Sequence, residues 1–397
     1  MALMPVDVAL AKIEFGVKTR GIEHIPLAQG VGRVLSRQVV AKRDQPPFAG
    51  SAMDGYAIRH EDQNLPLRVI GVSAAGHAFK GRLRAGSAVR IFTGAPMPMG
   101  ADTVVIQENV RREADVITLL QPVALAKHIR MRGLDFAVGD LLVGSGTVLG
   151  PRDLALIAAA NVPVISVYRK PRVVLFTTGD ELVLPGQKPR TDQIVSSNSH
   201  GIAAMAQRFG AEVINLGIVR DNLKATQAAV RKGLSADVLL TTGGASVGDH
   251  DFVQEAFRSC GVRIGFWKIA MRPGKPFMYG RKGRCHVMGL PGNPVSAMVT
   301  ARLFLKPLLA RLCGSWRAEK MDMARLDSPL PANDGRQDYI RASLTVGADG
   351  SRVATPFPVQ DSSMQRTLQM AHALIVREPN APAAAVGDML GVLLIDF

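Results

Sequence analysis

The chain has 397 residues, room for two to four domains, and 47% are hydrophobic, enough for well-packed cores. Its net charge is +15, but residues 322–397 carry −3, so an excess of +18 belongs to the preceding 321 residues. Aromatic residues make up only 5% and no Lys/Arg block alternates with stacking side chains, which argues against nucleic acid as the partner.

No apolar run reaches membrane-spanning length, and Met1-Ala-Leu-Met-Pro-Val-Asp7 lacks the basic start and apolar core of a secretion signal. Cys260, Cys285 and Cys313 are odd in number and widely spaced, so neither a disulfide framework nor a thiolate metal site follows, and a reducing cytoplasm is expected. In chain order, residues 6–20 place Val8, Ala11, Ile13 and Phe15 at helical spacing. Short apolar stretches follow to Val40, then a loop at 46–57. Residues 65–145 alternate frequently between glycine turns and predict a small β-rich domain. Pro151 starts a helix running to about Asn161, and Pro163 and Pro171 bracket a connecting strand.

From 172 to 313 the pattern changes to strands alternating with helices. Asn198 is expected to cap a helix carrying Ile202, Met205 and Phe209. A strand from Glu212 to Gly217 precedes a helix from Asn222, and the strand His286–Leu290 runs into Pro291-Gly-Asn-Pro294. There Asn293 suits an N-cap and Pro294 the first turn of a long apolar helix. Alternation of this kind predicts a doubly wound α/β domain. After a linker at 322–335 the tail reads as strands, with a turn at 347–350 and a short helix near 362–371.

Two of these strands end alike, in Thr177-Thr-Gly-Asp-Glu181 and in Thr241-Thr-Gly-Gly-Ala-Ser-Val-Gly-Asp-His-Asp251. In open α/β sheets, ligands sit beyond the carboxyl ends of strands. Glycine admits a ligand close to the backbone, and free N–H groups at a helix start favour anions. Gly243, Gly244, Ser246 and Gly248 thus form a candidate anion loop. Asp180, Glu181, Asp221 and Asp251 follow strand ends, where each could be only a helix cap or first-turn acid. Carboxylates beside an anion suggest an intervening hard cation, and Glu181, Asp221 and Asp251 are the candidate Mg²⁺ ligands. Lys268, Arg272 and Lys275 lie in a Pro/Gly-constrained segment suited to an oxyanion. Gly280-Arg-Lys-Gly-Arg284 reads as an exposed hairpin turn without a chemical role.

Gly244-Ala-Ser-Val-Gly248 also matches a nucleophile elbow, with Asp322 or Asp338 and His372 as later partners. Asp249 and Asp251 would oppose an oxyanion there, and no oxyanion loop is evident elsewhere. No zinc spacing, Walker A loop or dinucleotide fingerprint occurs.

Taken together, Pro46-Pro-Phe48, Ser51-Ala-Met-Asp-Gly-Tyr-Ala57, Thr93-Gly-Ala-Pro96, Thr178-Gly-Asp-Glu-Leu182, Gly243–Gly248, Arg272-Pro-Gly-Lys-Pro276 and Leu290-Pro-Gly-Asn-Pro-Val-Ser296 make the chain resemble the molybdopterin molybdenumtransferase (MoeA) family, related to the C-terminal part of gephyrin. The resemblance implies an elongated homodimer whose cleft is completed by the partner subunit. It also implies a division into a helical/extended linker domain (1–45 and 138–168), a β-rich N-terminal domain (46–137), a molybdopterin-binding doubly wound domain (169–321) and a small β-barrel-like C-terminal domain (322–397). The implied reaction consumes adenylylated molybdopterin and molybdate with Mg²⁺ and releases AMP. A molybdopterin adenylyltransferase and molybdoenzyme-specific chaperones are the implied partners. Matching motifs carry functional roles to Asp54, Thr93, Glu181, Asp221, Asp251, Lys268, Arg272, Pro291 and Pro294, and to Arg341 and Ser362 in the tail; Gly292 lies in the same turn as the two prolines. Arg272 stands where many relatives have Lys, and Gln360–Leu368 departs from the commoner Ser-His-rich form. Two other readings are molybdopterin adenylylation with ATP and a catalytically silent carrier or scaffold.

Overall fold

The structure is a computed structural model that describes residues 3–244 and 252–397. These residues form two compact units. One takes in the chain up to Glu23, Gly32–Ser36 and Ser166–Phe397, and the other His24–Val31 and Arg37–Ile165.

The larger unit is built on a six-stranded sheet. Its order is Glu212–Val219, Arg172–Thr178, Val238–Thr242, Cys285–Leu290, Met278–Lys282, Arg263–Trp267. The first four strands are mutually parallel, and Met278–Lys282 is antiparallel to both of its neighbours. Val173 to Phe176 are all buried, as expected for a strand covered on both faces. The period of two sorts them: Val173 and Leu175 pack with Ile202, Met205, Phe304 and Leu308. Val174 and Phe176 pack instead with Val230, Val253 and Phe257 on the other side. The helices Asn198–Arg208 and Lys306–Cys313 therefore cover one face, and Leu223–Gly233 and Phe252–Ser259 the other. The sheet is doubly wound, as the alternation predicted.

Local chemistry ends the elements where they end. The first helix is Val6–Glu14, shorter than its apolar spacing suggested, because Gly16 takes a φ of +68° that the helix cannot continue through. Asn222 caps its helix as expected, accepting the Ala225 N–H at 2.9 Å. Asn198 and Asn293 do not: Asn198 is already helical, and neither side chain makes a cap bond. The long helix from Pro294 widens to a π turn over Ala301–Leu305 just before Pro307, which has no N–H to offer.

In the C-terminal region, Gln337–Val346 pairs with both Arg352–Pro356 and Ala373–Arg377. Met389–Leu394 and Asp322–Leu326, a strand where a linker was expected, complete the circuit, giving a closed five-stranded barrel. Met271–Arg272 adds to its Gln337 end in parallel, with Arg272 opposite Asp338.

The second unit contains a six-stranded sheet ordered Thr103–Ile106, Gly55–Ile58, Ser87–Ile91, Leu67–Ser73, Val116–Leu119, Val110–Glu113. Tyr56, Ile58, Leu67, Ala88, Val105 and Ile117 form its main core. Among the described residues, no helix is long and apolar enough to cross a membrane.

Candidate functional site

The parallel register brings four strand ends to one edge. Thr178 lies opposite Val219, Thr177 opposite Thr242, and Thr242 opposite Leu290. Each end runs directly into a candidate segment: Gly179-Asp-Glu181, Arg220-Asp-Asn222, Gly243-Gly244 and Pro291-Gly-Asn-Pro294. A buried hydroxyl bond of 3.1 Å from Thr242 to Thr177 ties two of the strands just beneath.

Asp221 is held from two sides. The Thr178 hydroxyl donates to its Oδ1 at 3.0 Å, and its own backbone N–H donates to Asp180 Oδ1 at 3.2 Å. Asp180 thus supports the neighbouring turn, consistent with the structural part that was open for it. Glu181 folds back over Gly179, where a Cβ would lie 2.6 Å from either of its carboxylate oxygens. Gly243 and Gly244 take φ values of +84° and +62°. Gly243 packs so tightly that a Cβ would stand 2.4 Å from the Thr178 carbonyl oxygen. Ser246, Gly248 and Asp251 lie outside the described residues, as does most of the Gly244–Gly248 elbow pattern. Its supposed partners are engaged elsewhere: Asp338 holds Arg272, Asp322 holds Arg352, and His372 Nδ1 accepts the Leu344 N–H at 3.1 Å.

The two asparagines that were expected to cap helices are turned toward this edge instead. Asn198 Nδ2 donates to the Gly292 carbonyl at 2.7 Å, and its Oδ1 is buried without a partner among the described residues. Asn293 Nδ2 donates to Ser362 Oγ at 2.8 Å. The Ser362 carbonyl accepts the Val295 N–H at 3.0 Å, so the barrel loop seats Ser362 at the Pro291–Pro294 turn. Arg341 is fully buried behind that loop. Its Nε and backbone N–H both donate to Gln360 Oε1, at 3.1 and 3.0 Å, and Nη1 donates to the Met364 carbonyl at 3.3 Å. Its Nη2 has no partner among the described residues, and burial lowers its pKa below the usual guanidinium value.

The three cations of residues 268–275 have separate surroundings. Lys268 has a φ of +71°, a strained conformation for a residue with a Cβ, and its ammonium lies 4.6 Å over the Trp267 ring. Lys275 is exposed. Arg272 is a latch: Nε reaches both Asp338 oxygens at 2.9 and 3.0 Å, Nη2 also pairs with Asp338, and Asp334 lies 3.7 Å from Nη1. Arg272→Lys removes the planar fork and is expected to cost about 1 kcal/mol, read as a lower denaturation midpoint. An unchanged midpoint would mean that the latch contributes nothing to stability.

Asp54 and Thr93 belong to the smaller unit and meet there. Thr93 donates its backbone N–H and its hydroxyl to Asp54 Oδ1 at 2.7 and 2.8 Å. These bonds, backbone first, hold the exposed Asp54 carboxyl below its ordinary pKa of 3.8. A lowered folded value means the contribution is complete above the unfolded pKa and disappears as pH falls through the folded one. Thr93→Val should therefore move the Asp54 titration upward, seen by carboxyl NMR below pH 4. No upward movement would disprove the hydroxyl's share.

Among the described residues, the carboxylates at the four-strand edge are Asp180, Glu181 and Asp221, of which Asp180 already accepts the Asp221 N–H. Among the described residues no group of three or more His, Cys, Asp or Glu could by itself hold a metal. Two carboxylates nonetheless fit Mg²⁺, which commonly takes one or two protein carboxylates, waters and a substrate phosphate. Sequence reasoning missed Asn198 and Asn293 as site-facing groups, since both sit where a helix cap is the commoner role.

Comparison with known proteins agrees with this architecture. Residues 4–161 match the family model for the MoeA N-terminal region (domains I and II), 174–311 the probable molybdopterin binding domain, and 323–395 the MoeA C-terminal region (domain IV). The chain is 37% identical to the molybdopterin molybdenumtransferase of Nostoc sp. over 336 residues, 81% of this chain and 77% of that protein. It is 33% identical to that of Haemophilus influenzae over 389 residues, 96% and 95% of the two chains. The crystal structure of the molybdopterin biosynthesis moeA protein from Pyrococcus horikoshii superposes with a TM-score of 0.85 at 29% identity, covering 99% of each chain. Sequence, fold and relatives agree that the chain belongs to the molybdopterin molybdenumtransferase (MoeA) family.

Proposed function

We propose that the protein inserts molybdenum into molybdopterin in molybdenum cofactor biosynthesis, taking adenylylated molybdopterin and molybdate and releasing AMP. The observation that carries this reading is the convergence of four parallel strand ends, each with its glycine or acidic turn, at one edge of the doubly wound domain. The positive-φ glycines Gly243 and Gly244 let the chain turn sharply at the strand end, with Thr178 and Val253 packed where their side chains would stand, and in this proposal a phosphate sits at the backbone of that turn. Lys268, Lys275 and the polar Asn198–Asn293–Ser362 edge supply cations and hydrogen-bond groups for the oxyanions. Arg272, held by Asp338 with half of its side chain still exposed, is proposed alongside them as an anion-binding cation. Glu181 and Asp221, with Asp251, would hold Mg²⁺, which when bound screens the repulsion between phosphate and carboxylate and stabilises charge developing on the leaving oxygen.

In this reading a molybdate oxygen attacks the adenylyl phosphorus and displaces the molybdopterin phosphate as the phosphate-to-phosphate bond breaks. The dithiolene sulfurs then bind the molybdenum, its bond to that oxygen breaks, and AMP leaves carrying the oxygen. The chain acts mainly by positioning and electrostatics. Asp54 and Thr93, Pro291 and Pro294 are proposed as further site residues, and a cytoplasmic homodimer with a cleft completed by the partner subunit as the working form. The four-domain division, the adenylyltransferase partner and the chaperones belong to the same proposal. The test is AMP release from adenylylated molybdopterin with Mg²⁺, with and without molybdate. Release that depends on molybdate and yields active cofactor supports the transferase. Tight binding without release would point to a carrier.

A further inference from the structure

At the opposite edge of the same sheet, where its parallel strands begin, lies a cavity of about 440 Å³. A seven-residue strand puts it about 20 Å from the site just described. Six cations line it: Arg20, Arg169, Lys170, Arg172, Lys282 and Arg284. They come from three separate stretches of chain. Arg172 opens its strand, Lys282 and Arg284 flank Gly283 in a hairpin turn whose sequence suggested no role, and Arg20 follows the first helix.

The cavity's acids do not balance this charge. Asp237 is already occupied: Oδ1 lies 2.8 Å from Arg20 Nε, and Oδ2 accepts the Arg172 backbone N–H at 2.8 Å. Glu23 pairs with Arg33. Glu212 sits opposite Arg172 in register but forms no ion pair among the described residues. Arg169, Lys170, Arg172 and Arg284 likewise have no carboxylate within ion-pair distance among the described residues. Arg20 lies deepest, its side chain 12% exposed, and donates to the Arg284 carbonyl at 2.6 Å. Burial lowers its pKa, Asp237 works against that, and the nearby Arg284 cation adds to the lowering.

Like charges gathered around a concave site repel one another, and a ligand of opposite sign relieves that cost. The volume is that of a small-molecule site, and guanidinium forks match phosphate oxygens two at a time. We infer that this cavity is a second anion site, which takes a small phosphorylated ligand carrying two or more negative charges, separate from the site at the carboxyl ends of the strands.

Inorganic pyrophosphate is the probe, titrated calorimetrically into the full chain at low salt with EDTA present. The expected result is one binding event that Arg172→Gln/Arg284→Gln weakens at least about tenfold. Glu212→Gln should tighten the same event about threefold by removing the single unpaired carboxylate. If the double variant loses its fold, the direction of the Glu212→Gln change decides. Equal affinity in wild type and both variants, or no binding at millimolar pyrophosphate, overturns the inference. Tighter binding of a hexaglutamate peptide than of pyrophosphate also overturns it, in favour of an acidic protein segment.

Discussion

Glu181→Gln is expected to leave the protein folded while lowering molybdate-dependent AMP release at least about 100-fold, or about 2.7 kcal/mol of transition-state stabilisation. Glu181 is exposed, so its isosteric replacement leaves packing untouched. Its carboxylate is folded back over Gly179 at the end of the Arg172–Thr178 strand, beside the turn that carries Asp221. Removing one of the two described carboxylates proposed to hold the metal should abolish most metal-dependent chemistry without changing shape. The check is initial-rate AMP release alongside a thermal melt. Turnover within a few-fold of wild type, with an unchanged melt, would take Glu181 out of the proposed site.

Gly243→Ala should have the largest structural effect of any single methyl group at this edge. Its φ of +84° already disfavours a side chain, and the new Cβ would stand 2.4 Å from the Thr178 carbonyl oxygen. That oxygen belongs to backbone in the central sheet, so it cannot swing aside as a side chain would. The expected loss is about 2–4 kcal/mol, of which about 1–2 is the left-handed backbone conformation itself. Gly350 offers the comparison, with a φ of +78° and nothing within 4 Å of the added carbon. Gly350→Ala should cost only the conformational part. Because the Thr178 hydroxyl orients Asp221, Gly243→Ala should lower AMP release as well. Denaturant midpoints of the two variants check the argument, and equal costs would show that the close approach to Thr178 does not matter.

The doubly wound domain was legible because its signals are local. Strands buried on both faces need unbroken apolar runs, and the turns beyond them need glycine, so Val173–Phe176 and Gly243-Gly244 mark themselves. Asn222 capped its helix as its type and place suggested. Asn198 and Asn293 have the same chemistry, yet the Gly292 carbonyl and Ser362 hydroxyl draw their amides away. A cap needs the side-chain oxygen turned to accept a backbone N–H, and an acceptor in reach of the same side chain's amide N–H turns it elsewhere; which acceptor is in reach depends on the fold.

Arg272 shows the same division. Its spacing from Lys268 and Lys275 suggested three equivalent cations facing one anion. The barrel strand that pairs with residues 271–272 puts Asp338, 66 positions away, within bidentate reach, and so makes Arg272 a latch.

What the sequence by itself determined was the element pattern, the positions of glycine turns and acids after strands, and the combination of motifs that identified the family. These follow from backbone geometry and residue chemistry within a few positions. Only the tertiary structure decided which charges are paired. It gathered Arg20 and Arg284, 264 positions apart, into one cavity while tying Asp237 to Arg20. The reason is physical: propensity and periodicity act over one turn or one strand, whereas Coulomb and hydrogen-bond partners are chosen by register between strands that the chain order does not reveal.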